Sequence, residues 1–99
     1  MNYGRKRSFL NEKCSLIFEI PVFNLESALL AALHADRLEL CVHGGAGGLT
    51  PGYGYLKRAR KLIEKPLFVM IRPREGKFNY SEEELVSMEE DIKFCQELG

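Results

Sequence analysis

Two kinds of hydrophobic pattern take turns along the chain. Short apolar segments rich in β-branched and aromatic residues occupy residues 15–20, 37–42 and 66–72, and such segments are typical of strands. Apolar residues recur at helical spacing over 25–34, from Thr50-Pro51 to about residue 64, and over 82–97. The order strand-helix repeated three times predicts an α/β fold in which parallel strands are joined by right-handed crossovers.

Boundary residues support this division. Asn24 and Thr50 stand where the first two predicted helices begin, and both residue types are good N-caps. Ser81 and Glu84 have the spacing of a capping box before the third helix. Pro21 is predicted to end the first strand, because proline lacks the backbone N–H that a strand ladder uses.

Each predicted strand has one apolar face and one face that carries a charge. The charges are Glu19, Glu39 and Arg72, each near the carboxyl end of its strand. They would converge at one edge of a parallel sheet and form either a polar functional site or a structural ion cluster in which Arg72 neutralises the carboxylates. The apolar faces comprise Leu16, Phe18 and Ile20, then Leu38, Leu40 and Val42, then Leu67, Val69 and Ile71.

Composition narrows the class of protein. The 99 residues are enough for one small domain, and 14 Lys+Arg balance 14 Asp+Glu. This balance argues against a nucleic-acid or anionic-membrane partner, and no apolar run approaches the length of a membrane span. Three cysteines without a paired motif fit free thiols in a reducing compartment.

Several strings together resemble the CutC copper-homeostasis family: ADRLELC at 35–41, GGLTP at 47–51 and MIRPR at 70–74. The resemblance covers about residues 16–99 but only the N-terminal part of the family domain, a TIM-type (β/α) barrel of eight units. It implies a partial barrel of three βα units over residues 15–99. The basic residues at the start of the chain predict a mobile N-terminal extension over 1–14. It also implies a cytoplasmic protein of copper homeostasis, present here as a truncated form.

Copper has a candidate site in this pattern. The resemblance implies that Cys41 matches one of two cysteines proposed as Cu(I) ligands in the family, while Pro21 stands where the other would be. The residues themselves place Cys41 and Met70 on one face of neighbouring strands, with His43 two positions on. Cu(I) prefers thiolate and thioether ligands. The alternative is that both sulfur side chains simply fill the interior of the barrel.

The glycine-rich loop before Thr50 admits a different function. Backbone N–H groups of Gly47 and Gly48, together with Arg72 and Arg74, could bind a phosphorylated or anionic metabolite, or the loop could be only a turn. A barrel enzyme using Glu19, Glu39 and Arg72 therefore stays open, as does an inactive structural fragment. In each case the unpaired outer strands predict self-association through open sheet edges.

Overall fold

The computed structural model describes residues 16–99, so the predicted extension over residues 1–14 lies outside the described residues. Three strands alternate with three α-helices and one short 3₁₀ turn at Gly44–Ala46. The strands are β1 (Glu19–Val22), β2 (Arg37–Leu40) and β3 (Leu67–Val69), and the helices are α1 (Leu25–Ala31), α2 (Tyr53–Leu62) and α3 (Glu82–Leu98).

The sheet has the predicted topology. β2 lies between β1 and β3, and both pairings are parallel. Glu19 stands opposite Arg37 in the first pair, and Leu38 stands opposite Leu67 in the second. The prediction of three parallel strands in chain order is confirmed.

The first strand is displaced from its predicted position. It spans Glu19–Val22 instead of 15–20, so Pro21 lies inside the strand and does not end it. Leu16 and Phe18 precede the strand and are exposed, which makes their predicted place on the helix-covered face wrong. That face of β1 is formed by Ile20 and Val22, which pack against the core.

Proline is accepted in β1 because of the direction in which its backbone points. The carbonyls of Phe18 and Val22 accept hydrogen bonds from the N–H groups of Arg37 and Cys41 on the β2 side. Backbone groups alternate sides along a strand, so the groups of residue 21 point to the open edge of the sheet. The missing N–H of Pro21 therefore costs no hydrogen bond within the sheet.

The core lies between one face of the sheet and the helices. Leu38 and Leu40 of β2 are fully buried there, whereas Phe68 on the opposite face is 50% exposed. Period two places Glu19 and Glu39 on that opposite face, as predicted. The buried cluster comprises Val22, Ala28, Ala35, Leu38, Leu40, Leu56, Ala59 and Ile63.

The helix boundaries follow their capping groups. The Asn24 side chain accepts from the Ser27 N–H, and Ser81 with Glu84 forms a complete capping box, so both predictions are confirmed. The prediction that Thr50 is the N-cap of α2 is wrong. The helix begins after Gly52, and the Thr50 hydroxyl accepts a hydrogen bond from the Arg72 N–H. Within residues 16–99, no helix has the length and apolar character to cross a membrane.

Candidate functional site at the carboxyl edge of the sheet

Cys41 follows the last residue of β2 and has a buried side chain with 1% exposure. Its thiol lies 3.7 Å from both the backbone carbonyl and the carboxylate Oε1 of Glu39. Burial, followed by the charge and the hydrogen bond of Glu39, raises the pKa of the Cys41 thiol to about 11. The thiol is therefore protonated at neutral pH in the protein as described.

Gly48 brings Cys41 and Met70 together. A Cβ on Gly48 would lie 3.2 Å from Cε of Met70 and 3.5 Å from Sγ of Cys41. The glycine also has a φ of 105°, a conformation that other residues adopt only with strain. The two sulfur-bearing side chains thus both lie close to Gly48, and their joint role as copper ligands stays a prediction.

His43 has a different partner from Cys41 and Met70. Its backbone is left-handed, with a φ of 58°, and its side chain is 55% exposed. The imidazole Nε2 lies 3.6 Å from the Glu75 carboxylate in the loop that follows β3. The structure therefore uses His43 to join two loops, and its role as a copper ligand stays a prediction.

The three predicted charges do not form one ion cluster. Glu19 pairs with Arg37 at 2.6 Å, and Arg37 also lies over the ring of Phe68. Glu39 accepts from the Cys41 thiol. Within residues 16–99, no ion pair links Arg72 to either carboxylate. The Glu19–Arg37 pair was missed from the sequence, although the parallel register that sets the two residues side by side contains the signal for it.

Arg72 is a clamp on the glycine-rich loop. Its Nη1 donates to the carbonyls of Ala46 at 2.5 Å and Gly48 at 3.4 Å, and its Nη2 donates to Gly76 at 3.3 Å. The guanidinium also lies 5.0 Å from the ring centre of Phe78. These partners are uncharged, so the positive charge of Arg72 stays at the carboxyl edge of the sheet without a carboxylate partner in the described part of the chain.

Thr50 completes the attachment of the loop to the segment after β3. Its hydroxyl accepts from the Arg72 N–H at 2.7 Å, and its own N–H donates to the Arg72 carbonyl at 3.0 Å. Gly47 is also left-handed, and a Cβ there would lie 3.4 Å from Nη1 of Arg72. The structure thus brings Gly47, Gly48, Thr50 and Arg72 together, as the sequence predicted.

Arg74 is separated from this group by its partners. It pairs with Glu84 at 2.5 Å and donates to the carbonyls of Lys77 and Asn79, each at 2.7 Å. The hydrogen bond to Glu84 raises the pKa of Arg74, and the same bond lowers the pKa of Glu84. Arg74 therefore orders the loop between β3 and α3, and an anion-binding role for it stays a prediction.

The donor set limits which metals fit. Among residues 16–99, no group of three or more His, Cys, Asp or Glu side chains is arranged to hold a metal ion. Hard cations and zinc usually take such clusters. The thiol of Cys41 and the thioether of Met70 instead suit a soft ion of low coordination number, provided that the thiol releases its proton.

Comparison with known proteins gives one consistent result. The CutC family model matches residues 16–99. CutC family proteins of Salmonella newport (strain SL254) and Salmonella typhi are each 44% identical over 84 residues, which cover 84% of this chain. The chain spans 34% and 32% of the length of those two relatives.

A solved structure extends the likeness to the fold. The "Putative Copper Homeostasis Protein CutC" from Streptococcus agalactiae superimposes with a TM-score of 0.71 and 39% sequence identity. The match covers 84% of this chain and 42% of that one. The likeness in fold agrees with the family match over residues 16–99, and the chain belongs to the CutC family.

Proposed function

We propose that this chain acts in cytoplasmic copper homeostasis and takes up Cu(I) between Cys41 and Met70. The observation that carries the proposal is that both side chains lie close to Gly48 at the carboxyl edge of the sheet: a Cβ there would lie 3.2 Å from Cε of Met70 and 3.5 Å from Sγ of Cys41. A thiolate and a thioether are the ligand types that Cu(I) selects. The family match and the copper-homeostasis description of the Streptococcus agalactiae protein support the same ion.

The surroundings of Cys41 shape how uptake would proceed. The free thiol holds its proton, so Cu(I) has to displace it when the sulfur becomes a ligand. Burial then benefits the bound state, because a neutral complex of one thiolate and Cu(I) is desolvated more easily than either ion alone. Two ligands from neighbouring strands would give a site suited to holding and passing on the ion.

Anaerobic Cu(I) titration against a competing chelator tests this proposal. The titration uses a Cys14→Ser background, so that a third thiol, which lies outside the described residues, does not add to the Cu(I) binding that is measured. We expect Cys41→Ser to weaken Cu(I) binding at least about tenfold and Met70→Leu to weaken it less, because a thiolate binds more strongly than a thioether. Cys95→Ser is the matched control: its thiol is also free and partly buried but lies on α3. Equal binding by the Cys41→Ser and Cys95→Ser proteins would contradict the proposal.

A second candidate function is the binding of a phosphorylated or anionic metabolite, as in a barrel enzyme. The observation that favours it is the uncompensated charge of Arg72 beside the left-handed Gly47 and Gly48. Titration with inorganic phosphate, followed by the amide NMR signals of these glycines, provides the test. Saturable shifts that Arg72→Gln abolishes would support anion binding, and unchanged spectra would reject it. A chain that binds neither copper nor phosphate would match the remaining alternative, an inactive structural fragment.

A further inference from the structure

The thiol of Cys41 lies beneath the tip of the glycine-rich loop, beside Met70 and Glu39. The residue is 1% exposed, and a Cβ on Gly48 would lie 3.5 Å from its sulfur, so the Gly48 backbone is one of the groups that cover the thiol. Displacing this backbone would uncover the sulfur from the loop side. Access to the candidate copper site is therefore a property of the loop as much as of the ligands.

The base and the tip of this loop are held differently. At the base, Val42 and Leu49 form an antiparallel bridge with two backbone hydrogen bonds of 3.0 and 2.8 Å. The tip, residues 43–48, is closed on itself: His43 O accepts from Ala46 N and Gly48 N, and Gly44 O accepts from Gly47 N. This pattern makes the tip a small unit that can move on a fixed base.

Few side chains tie the tip to the rest of the protein. Arg72 donates to the carbonyls of Ala46 and Gly48, and His43 makes an exposed contact with Glu75. The Phe23 ring also packs beside the tip, 3.5 Å from where a Cβ of Gly44 would stand. Among the described side chains, Arg72 is the one that donates hydrogen bonds to carbonyls of the tip. Hydrogen bonds from a charged donor are the stronger kind.

The clamp is also incompletely satisfied. Nε of Arg72 is buried and has no hydrogen-bond partner among the described residues. A buried donor without a partner destabilises the arrangement that buries it. Opening the tip would return this N–H to water, which offsets part of the loss of the Nη1 hydrogen bonds. The closed and open states are therefore closer in free energy than the hydrogen bonds alone would suggest.

We propose that residues 43–48 form a lid over the Cys41 thiol and that Arg72 is its latch. Left-handed backbone at Gly47 and Gly48 lets the tip lie flat against Cys41 and Met70 without a side chain between them. The identification of Cu(I) as what enters rests on the proposed function; the lid itself does not.

Alkylation of the 99-residue chain with iodoacetamide, read by peptide mass spectrometry, tests the lid without copper. The readout is the labelling rate of Cys41 relative to that of Cys95 in the same molecule, which serves as the reference for general loosening. We expect Arg72→Gln to raise this ratio at least about tenfold, the scale of one lost hydrogen bond from a charged donor. Arg37→Gln is the matched control, because Arg37 contacts Glu19 and Phe68 on the same sheet.

Two further measurements distinguish opening of the lid from global unfolding and from a change in charge as the cause of faster Cys41 labelling. Labelling by local opening stays constant in low urea, whereas labelling through global unfolding rises steeply with urea. Arg72→Lys keeps the charge but loses the two-pronged contact, and we expect an intermediate ratio. Loss of the positive charge alone would favour the protonated thiol and slow labelling, opposite to the expected change. An unchanged ratio in Arg72→Gln, or an equal rise at Cys95, would overturn the proposal. Cu(I) titration of the unmodified chain fails or succeeds independently of either result.

Discussion

The first two helices and the third are held in the protein by different means. α1 has 7 residues and α2 has 10, yet together they supply Ala28, Leu56 and Ala59 to the buried core. α3 has 17 residues, and none of them is buried. Length and good capping therefore do not measure how firmly a helix is integrated into a core.

Local interactions carry much of the order of α3. Its capping box satisfies two backbone N–H groups, and three glutamates in its first turn face the positive end of the helix dipole. Phe94, Cys95 and Leu98 pack against the edge of the core from the last turns of the helix. Since most helical stability in proteins comes from tertiary packing, these contacts near its end decide whether α3 stays docked.

The largest expected effect is on the free energy of unfolding, for a substitution in α2, which contributes to the buried core. Leu56 in α2 is 5% exposed, and truncation of such a side chain leaves a cavity. We expect Leu56→Ala to lower the free energy of unfolding by about 2–5 kcal/mol. Leu85→Ala, on the exposed side of α3, should cost less than about 1 kcal/mol. Urea denaturation followed by circular dichroism measures both, and similar losses would mean that α3 is as integrated as α2.

The apolar groove between β3 and α3 predicts the next effect, on association. Ile92 is 45% exposed at this groove, whose lining residues are Leu67, Phe68, Val69, Ile71, Ile92, Cys95 and Gln96. We expect the chain to self-associate there and Ile92→Glu to weaken association at least about tenfold, given the free energy of burying one such side chain. Val86→Glu, exposed on α3 outside the groove, is the control. Sedimentation velocity across a concentration series would refute this if the unaltered chain is monomeric throughout.

A smaller effect is expected at the start of α3. The Ser81 side chain accepts from the Glu84 N–H at 3.1 Å. Ser81→Ala should raise hydrogen exchange in the first turns of α3, with a cost of about 1 kcal/mol. Ser87→Ala, at an exposed position inside the helix, should leave exchange unchanged or slow it, because alanine is the better helix former. The same exchange in both variants would show that packing, not the cap, holds this end.

The smallest effect concerns pH. The hydrogen bond from Arg74 lowers the pKa of Glu84 in the folded protein below its ordinary value in the unfolded chain. The contribution of Glu84 is therefore complete above that value and is lost as pH falls through the lowered folded value. Glu84→Gln should flatten the fall in stability on acidification, measured by thermal melting between neutral and acid pH. Glu89→Gln should retain the slope of the parent protein, because the Glu89 carboxylate pairs with Lys93 at an exposed position.

Patterns in the sequence predicted the order of the elements and the faces of the strands, because both depend on local periodicity. Leu38 and Leu40 are buried and Glu39 lies on the other face, as period two requires. The capping box at Ser81 was also predictable, since its two partners are three residues apart. Each of these features is decided within a few positions of the chain.

Features that depend on contacts between distant segments were not predictable in the same way. Threonine is a common N-cap residue, but the Thr50 hydroxyl accepts a hydrogen bond from the N–H of Arg72, which is 22 residues away. Arg72 was expected beside Glu19 and Glu39, yet the glycine-rich loop folds back and presents carbonyls that take its hydrogen bonds. The sequence therefore predicted which residues lie at this edge of the sheet, but it did not predict which hydrogen-bond partner each of them has.

The proline in β1 makes the two outer edges of the sheet different. Pro66 O and Met70 N bond to β2, so the backbone groups of Leu67 and Val69 point to the outer edge of β3. Both of these residues carry an N–H. The outer edge of β1 lacks one donor at Pro21, so a strand added there would leave one acceptor unmatched. A strand that pairs beside β3 therefore meets a full set of backbone donors there, whereas a strand that pairs beside β1 has to leave one of its acceptors to another partner.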